Sequence, residues 1–208
     1  MNNLIILDHP VIKRDLTILR DRRTTNLLFR TTLRRVASMM AFEVTRGLAV
    51  RRTRVRTPFE ATAGHELADD VVLVPVLRAG LGLVEGFLDV LPDSRVGHIG
   101  LYRNEETLEP VDYYSKFPRG LEKSLVFLLD PMLATGGSGA AAISFLKGKG
   151  ATRIRFCTLV AAPEGVEKVL RLHSDVVVYT VSLDRKLNHR GYILPGLGDA
   201  GDRIFGTE

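Results

Sequence analysis

Apolar positions fall into short, near-continuous blocks from Val71 onward. Between them lie longer stretches in which apolar residues recur at helical spacing. Val71–Val74, Arg95–Tyr102, Leu125–Leu129, Arg153–Val160 and Asp175–Val181 read as strands. The segment following Gly82 to about Leu91, the run Ala140–Leu146 and Pro163–Leu172 read as helices, and Pro163 suits a first helical turn. Pro75 cannot donate to a ladder, so the first of these strands is expected to end or bulge there. Apolar strands alternating with helices of 10–15 residues predict a mostly parallel α/β sheet flanked by helices.

The first fifty residues follow another pattern. After an extended start, Asn2–Leu7, Val11, Ile12, Leu16 and Leu19 share one face of a helix ending near Arg20. Thr24 or Thr25 can cap a longer helix reaching about Gly47, with Leu27, Leu28, Leu33, Val36, Met39, Met40 and Val44 along its apolar stripe. Such a hairpin suits a dimer surface or packing on the chain's own core. Arg51–Pro58 alternates, with Arg52, Arg54 and Arg56 on one face; it reads as an RNA- or phosphate-binding ribbon or, favoured here, as a solvated edge strand whose charges discourage aggregation. Residues 102–120 form a long polar stretch without a convincing element, as expected of a lid or binding loop, or of a hairpin excursion. Leu183–Thr207 is glycine-rich and aperiodic but too apolar for a linker, as expected of a structured loop around a ligand or of a cap over the sheet.

Composition narrows the picture only slightly. The 208 residues, with 45% hydrophobic and 25% charged, suit a single globular domain spanning 1–208. The net charge of +5 and pI of about 9.6 favour an anionic partner. The excess lies between Arg20 and Arg56, yet no aromatic residues interleave with the arginines of 51–56, which speaks against nucleic acid. The one cysteine, Cys157, sits in a strand-like run as a small apolar residue. No Cys/His cluster has zinc spacing, the N-terminus lacks a signal-peptide pattern, and no apolar run approaches a membrane span, so the cytoplasm is the expected compartment.

The chemistry concentrates in Leu125–Lys147. A hydrophobic strand ends at Asp130, and a turn of small and hydroxylated residues, Ala134 to Gly139, leads into a helix. That order aims free backbone N–H groups and the positive end of the helix at the turn, where a phosphate can approach glycine backbone closely. Thr135 and Ser138 add hydroxyl donors, and Asp130 offers an acceptor pair for two vicinal sugar hydroxyls. No Gly-Lys-Ser/Thr follows, so this is not a P-loop. Gly136-Gly137-Ser138-Gly139-Ala140 lacks the last glycine of a nucleophile elbow. Gly80, Gly82 and Gly86 are spaced one residue too long for a dinucleotide fingerprint, and Arg78 at the strand tip suits a pyrophosphate group instead. Arg78, Arg103 and Asp130 all follow strand ends, where ligands of such sheets bind.

The central stretch resembles the ribose-phosphate motif of type I phosphoribosyltransferases. With the tail included, the whole chain is similar to the uracil phosphoribosyltransferase family. The resemblance is carried by Leu77-Arg78-Ala79-Gly80-Leu81-Gly82, Tyr102-Arg103-Asn104-Glu105-Glu106-Thr107-Leu108-Glu109-Pro110, Asp130-Pro131-Met132-Leu133-Ala134-Thr135-Gly136-Gly137-Ser138, and Gly191-Tyr192 through Gly206-Thr207. It implies a type I phosphoribosyltransferase-like fold with an N-terminal helical segment, 1–50, and a C-terminal base-binding hood, 183–208. It also implies the salvage reaction of uracil with 5-phosphoribosyl 1-pyrophosphate (PRPP) to UMP and pyrophosphate, with Mg2+ carried on PRPP rather than held by a protein metal site.

By the same resemblance, Arg78 and Arg103 hold the pyrophosphate and Asp130 through Ser138 the ribose 5-phosphate. Ile193, Gly198, Asp199 and Ala200 line the uracil, with Asp199 also near PRPP. Arg103, Asp130 and Asp199 are the implied catalytic set. A GTP effector and a homo-oligomer, dimer or tetramer, are further implications. Pro131 stands where the wider superfamily has a second acid, as in the uracil branch. The group that takes the uracil N1 proton stays open between Asp199 and a pyrophosphate oxygen. Two rival readings are a nucleic-acid-binding regulator on the same fold and a phosphoribosyltransferase for another base.

Overall fold

A computed structural model describes residues 3–103 and 110–207, and of residues 102, 103 and 110–112 the backbone alone. A short strand β1 (Leu4–Ile6) precedes helices α1 (Pro10–Arg20) and α2 (Asn26–Val44). Strands β2 (Val50–Arg56) and β3 (Ala61–Leu67) follow, then β4 (Val71–Leu77) and α3 (Leu81–Val90). Next come β5 (Arg95–Val96), β6 (His98–Arg103), β7 (Pro110–Lys116), a 3-10 turn at Leu121–Lys123 and β8 (Leu125–Leu129). After β9 (Met132–Leu133) come α4 (Gly137–Gly148), β10 (Arg153–Ala161), α5 (Pro163–Leu172) and β11 (Val177–Leu183). The chain then forms β12 (Lys186–Leu187), β13 (Ile193–Leu194) and α6 (Ala200–Phe205).

Among the described residues the main sheet has nine strands in the order β1-β11-β10-β8-β4-β6-β7, with β5 on β4 and β9 on β10. Every pairing in it is parallel except β6 with β7. The central strands β4 and β8 are buried almost throughout, as parallel strands covered on both faces must be. Side chains alternate across them. Leu73, Phe127, Leu129 and Cys157 pack with Phe29, Leu33, Met40, Leu83 and Phe87 of α2 and α3 on one face. Val72, Val74, Val126, Leu128 and Phe156 pack with Ile143, Leu146, Val166 and Val169 of α4 and α5 on the other.

Several expectations need correction or refinement. Pro75 does not end β4: it stands inside the strand opposite Leu129. The break falls instead on the outer side, where β5 pairs with Val72 and Leu73 and β6 only with Val76 and Leu77. The arginine-rich strand is not an edge of the sheet. It pairs antiparallel with β3, and the two form a separate ribbon, nearly all exposed. Residues 110–116 are a strand, so the polar stretch after β6 does carry an element and returns as the hairpin that was the alternative to a plain loop; positions 104–109 lie outside the described residues. Helix α2 stops at Val44, where the Thr45 hydroxyl donates to the Ala41 carbonyl at 2.7 Å, and Gly47 lies beyond the end. The tail is loop as expected, but it also carries β12, β13 and the short α6.

Candidate functional site

The carboxyl ends of β4 and β8 lie side by side, because those strands pair in register from Val71↔Leu125 to Pro75↔Leu129. Each strand then delivers one charged residue at its tip, Arg78 after β4 and Asp130 after β8. The turn after β4 sits against the end of β8 so closely that a Cβ on Gly80 would collide with the Leu129 carbonyl. The Leu77–Arg78 peptide bond is cis.

Asp130 is half-buried. Burial pushes its carboxyl up to about 7; the Met132 N–H, 3.3 Å from Oδ1, pulls it down, and the negative charge of Asp199 pushes it up further. The tail therefore brings Asp199 within electrostatic reach of Asp130. Asp199 caps α6, its Oδ1 accepting from the Asp202 N–H at 3.0 Å. Asp202 in turn takes Arg78: Nη2 lies 3.3 Å from Oδ1, and the Thr207 hydroxyl donates to the same oxygen at 2.7 Å. The Arg78 guanidinium also lies over the Phe205 ring, 5.9 Å from its centroid. Three of the expected residues, Arg78, Asp130 and Asp199, thus share one end of the sheet. Arg103 ends β6, which pairs with the carboxyl end of β4 on the side away from β8, and its side chain lies outside the described residues.

The turn from Ala134 to Gly136 joins β9 to the N-terminus of α4. Gly136 is the N-cap of α4 at φ 75°, and no side chain caps the helix, so its first N–H groups are left for solvent or ligand. Gly136 has a second reason to be glycine. A Cβ there would come 2.6 Å from the Gly165 carbonyl, and a Cβ on Gly165 would strike the Ala134 carbonyl. The first turn of α5 therefore props the loop from below. Gly137 is different: the nearest atoms to its missing Cβ are Thr135 Oγ1 at 3.7 Å and Lys168 Nζ at 3.8 Å. The expected contributors Asp130, Pro131, Met132, Leu133, Ala134, Thr135, Gly136, Gly137 and Ser138 are not equally available. Pro131 and Leu133 are buried, whereas Thr135 and Ser138 are exposed.

Of the expected base-lining residues, Ile193 and Ala200 bury their side chains in the core, and Gly198 has no side chain and φ 82°. What this loop can offer a ligand is mainly backbone, plus the exposed Asp199. Gly191 faces this turn, its missing Cβ lying 3.5 Å from Thr135 Cγ2. Lys168 and Asp202 escaped the sequence reading. Asp202 carried a signal, since acids at a cap and three residues later mark a helix start. Lys168 carried none, because only the packing of α5 on α4 brings it to the turn.

The fold is that of the type I phosphoribosyltransferases. A family model described as uracil phosphoribosyltransferase matches residues 6–207, and the chain belongs to that family. It is 51% identical over 207 residues to the uracil phosphoribosyltransferase of Salinibacter ruber, covering 100% of this chain and 99% of the relative. Over 204 residues it is 52% identical to that of Thermosipho melanesiensis, covering 98% of both. The structure of the AQ2163 protein from Aquifex aeolicus superposes with a TM-score of 0.93 at 36% identity, covering 99% of each chain. An adenine phosphoribosyltransferase from Trypanosoma brucei shares the fold at a TM-score of 0.60 and 14% identity, over 87% of this chain and 84% of that one.

Proposed function

We propose that the protein transfers the 5-phosphoribosyl group from PRPP to uracil, giving UMP and pyrophosphate in pyrimidine salvage. The observation that carries this reading is the meeting of Arg78, Asp130, Asp199 and the uncapped start of α4 at one end of the sheet, in a chain of this family. The turn Asp130 to Ser138 takes the ribose 5-phosphate: backbone N–H groups and the Thr135 and Ser138 hydroxyls face the phosphate, and the Asp130 carboxylate accepts from the ribose hydroxyls. Arg78 and Arg103 take the pyrophosphate. For Arg78 this means exchanging a partly buried carboxylate partner, Asp202, for a more highly charged one.

Breaking the bond from C1 to pyrophosphate builds positive charge on the ribose and negative charge on the leaving group. The residues supply cations for the latter, Arg78 and Arg103, which favours direct displacement through an oxocarbenium-like state. Positioning and leaving-group electrostatics then carry the rate. Closure of the Arg103 hairpin would exclude the water that competes with uracil. Backbone groups of Gly198 and Ala200 can match the N3–H and O4 of uracil, while cytosine, with donor and acceptor reversed, would strand them. Asp199 and a pyrophosphate oxygen of PRPP are the two candidates for taking the N1 proton.

Among the described residues no group of three or more His, Cys, Asp or Glu is arranged to hold a metal ion. Magnesium in this proposal comes with PRPP, and the neighbouring Asp130 and Asp199 carboxylates fit the one or two protein oxygens that Mg2+ takes beside substrate phosphates and water. Bound there, it would neutralise the developing pyrophosphate charge. Activity as a single-domain, cytoplasmic homo-oligomer, with GTP as effector, completes the reading. Among the described residues no helix is long and apolar enough to cross a membrane. A coupled assay of pyrophosphate release with PRPP and Mg2+, run in parallel with uracil, cytosine, orotate, hypoxanthine and adenine, tests the proposal. Turnover with uracil alone is expected; turnover with a purine or orotate instead, or with no base, would reject it.

A further inference from the structure

The loop proposed to hold the base, Ile193 to Ala200, is fastened from behind by two arginines, neither of which belongs to the set expected to touch a ligand. Arg20, the last residue of α1, makes four hydrogen bonds. Nη1 donates to Asp184 Oδ2 at 2.8 Å and to the Gly196 carbonyl at 2.7 Å; Nη2 donates to Asp184 Oδ1 at 2.6 Å and to Ser182 Oγ at 3.1 Å. Asp184, just past β11, closes the circuit by accepting the Gly196 N–H at 2.9 Å. Both backbone polar groups of Gly196 are therefore held by one bidentate ion pair. The Asp184 side chain is only 2% exposed. Burial pushes its carboxyl up, but Arg20, Ser182 and the Gly196 N–H outweigh that and hold it below the ordinary carboxylate range.

Arg203 of α6 fixes the next residue. Its Nη1 donates to the Leu197 carbonyl at 2.8 Å and also to the Leu19 carbonyl, and its Nη2 donates to the Asp21 carbonyl at 2.7 Å. The guanidinium lies over Phe29, 4.4 Å from the ring centroid. The carbonyls of Gly196 and Leu197 are thus tied to the corner between α1 and α2, and the chain next reaches Gly198, Asp199 and Ala200.

We infer that Arg20 and Asp184, with Arg203, are positioning residues for base selection: they set where the backbone groups of residues 198–200 meet the base without touching it. This rests on the reading of the loop as a uracil site. The physical basis is that a hydrogen-bond readout of a base tolerates little displacement, and a shift of about 1 Å in positioning groups can cost roughly 100-fold. The N-terminal helical segment then serves as the backing of the base site.

The test compares Michaelis constants for uracil and PRPP, uracil-over-cytosine selectivity, and amide exchange of Gly196 to Gly198. Arg20→Ala alone strands a buried carboxylate and risks the fold, so the deciding variant replaces both partners, Arg20→Met with Asp184→Leu, an exchange that buried ion pairs often tolerate. The expected result is a folded protein whose uracil KM rises roughly 10-fold to 100-fold. Its PRPP KM should stay within about 2-fold, and amide exchange in the loop should become faster. Arg20→Lys, which keeps the charge but not the fork, should fall between. Arg23→Ala, at the same corner but highly exposed, should match wild type. A folded double variant with wild-type uracil KM and selectivity would overturn the inference. So would an equal rise in both KM values, or loss of the fold, which mark a merely structural pair. Wild-type protein inactive with uracil would instead reject the functional reading, and would be seen before any variant is made.

Discussion

Asp130 is a carboxylic acid set to titrate near neutrality, at about 7, chiefly because burial disfavours its charge. A raised carboxyl means that the folded chain binds this proton more tightly than the unfolded one. Its contribution to stability is thus fullest at low pH and is lost as pH rises from about 4 through about 7. Ribose hydroxyls donating to the carboxylate would reverse that preference. PRPP affinity is therefore expected to rise between pH 6 and 8, with proton release on binding measurable by calorimetry in two buffers. Asp130→Asn should remove that release, beyond what the phosphates of PRPP contribute themselves, and should flatten the decline in melting temperature over the same range. Arg78→Ala is expected to lower kcat/KM for PRPP roughly 100-fold to 1,000-fold, as loss of one charge-stabilising donor does elsewhere; steady-state kinetics at saturating uracil would read this. Both residues were legible in the sequence because each follows an apolar strand, and the tip of a parallel strand is where such sheets bind ligands. Lys168 and the Arg20–Asp184 pair were not, since their partners are chosen by packing and not by neighbours in the chain.

The glycines at the start of α4 and α5 act as one unit. Gly165→Ala should push the Ala134 carbonyl and with it the whole turn, because the added carbon meets backbone that cannot rotate away. The expected outcome is a higher PRPP KM by 10-fold or more with a lower melting temperature, while uracil affinity of any folded fraction changes less. The β6–β7 hairpin carries Arg103; Arg103→Ala is expected to reduce kcat/KM for PRPP and to raise uracil-independent PRPP hydrolysis relative to transfer, measured by product chromatography. An unaltered kcat/KM would remove Arg103 from the mechanism. Helix α5 was readable to its exact bounds from Pro163 and its apolar spacing. Strand β3, Ala61–Leu67, was not, because small and polar residues on a ribbon exposed on both faces show no alternation to detect. The six-residue α6 was hidden by the glycine inside it, and β7 by the polar residues that precede it.

The β2–β3 ribbon stands apart from the sheet and ends in Phe59, 96% exposed, with Val50, Val55 and Leu67 also open to solvent. Apolar groups displayed this way favour association between copies. Light scattering is expected to give a mass that is a multiple of 23.0 kDa, and Phe59→Ser to shift it toward the monomer with unchanged helical circular dichroism. A wild-type monomer at micromolar concentration would reject this. The parallel order of the sheet followed from the spacing of apolar blocks, whereas the link between its two far-separated partners did not. Arg20 and Asp184 are 164 residues apart, and Arg203 reaches back 184 residues to Leu19. A ribosome adding about 5–20 residues per second needs roughly 8–33 s to travel from the first of these residues to its partner. The contacts of the helical corner with the base loop cannot form before that time has passed, so the base loop is the last part of the site to be completed during synthesis.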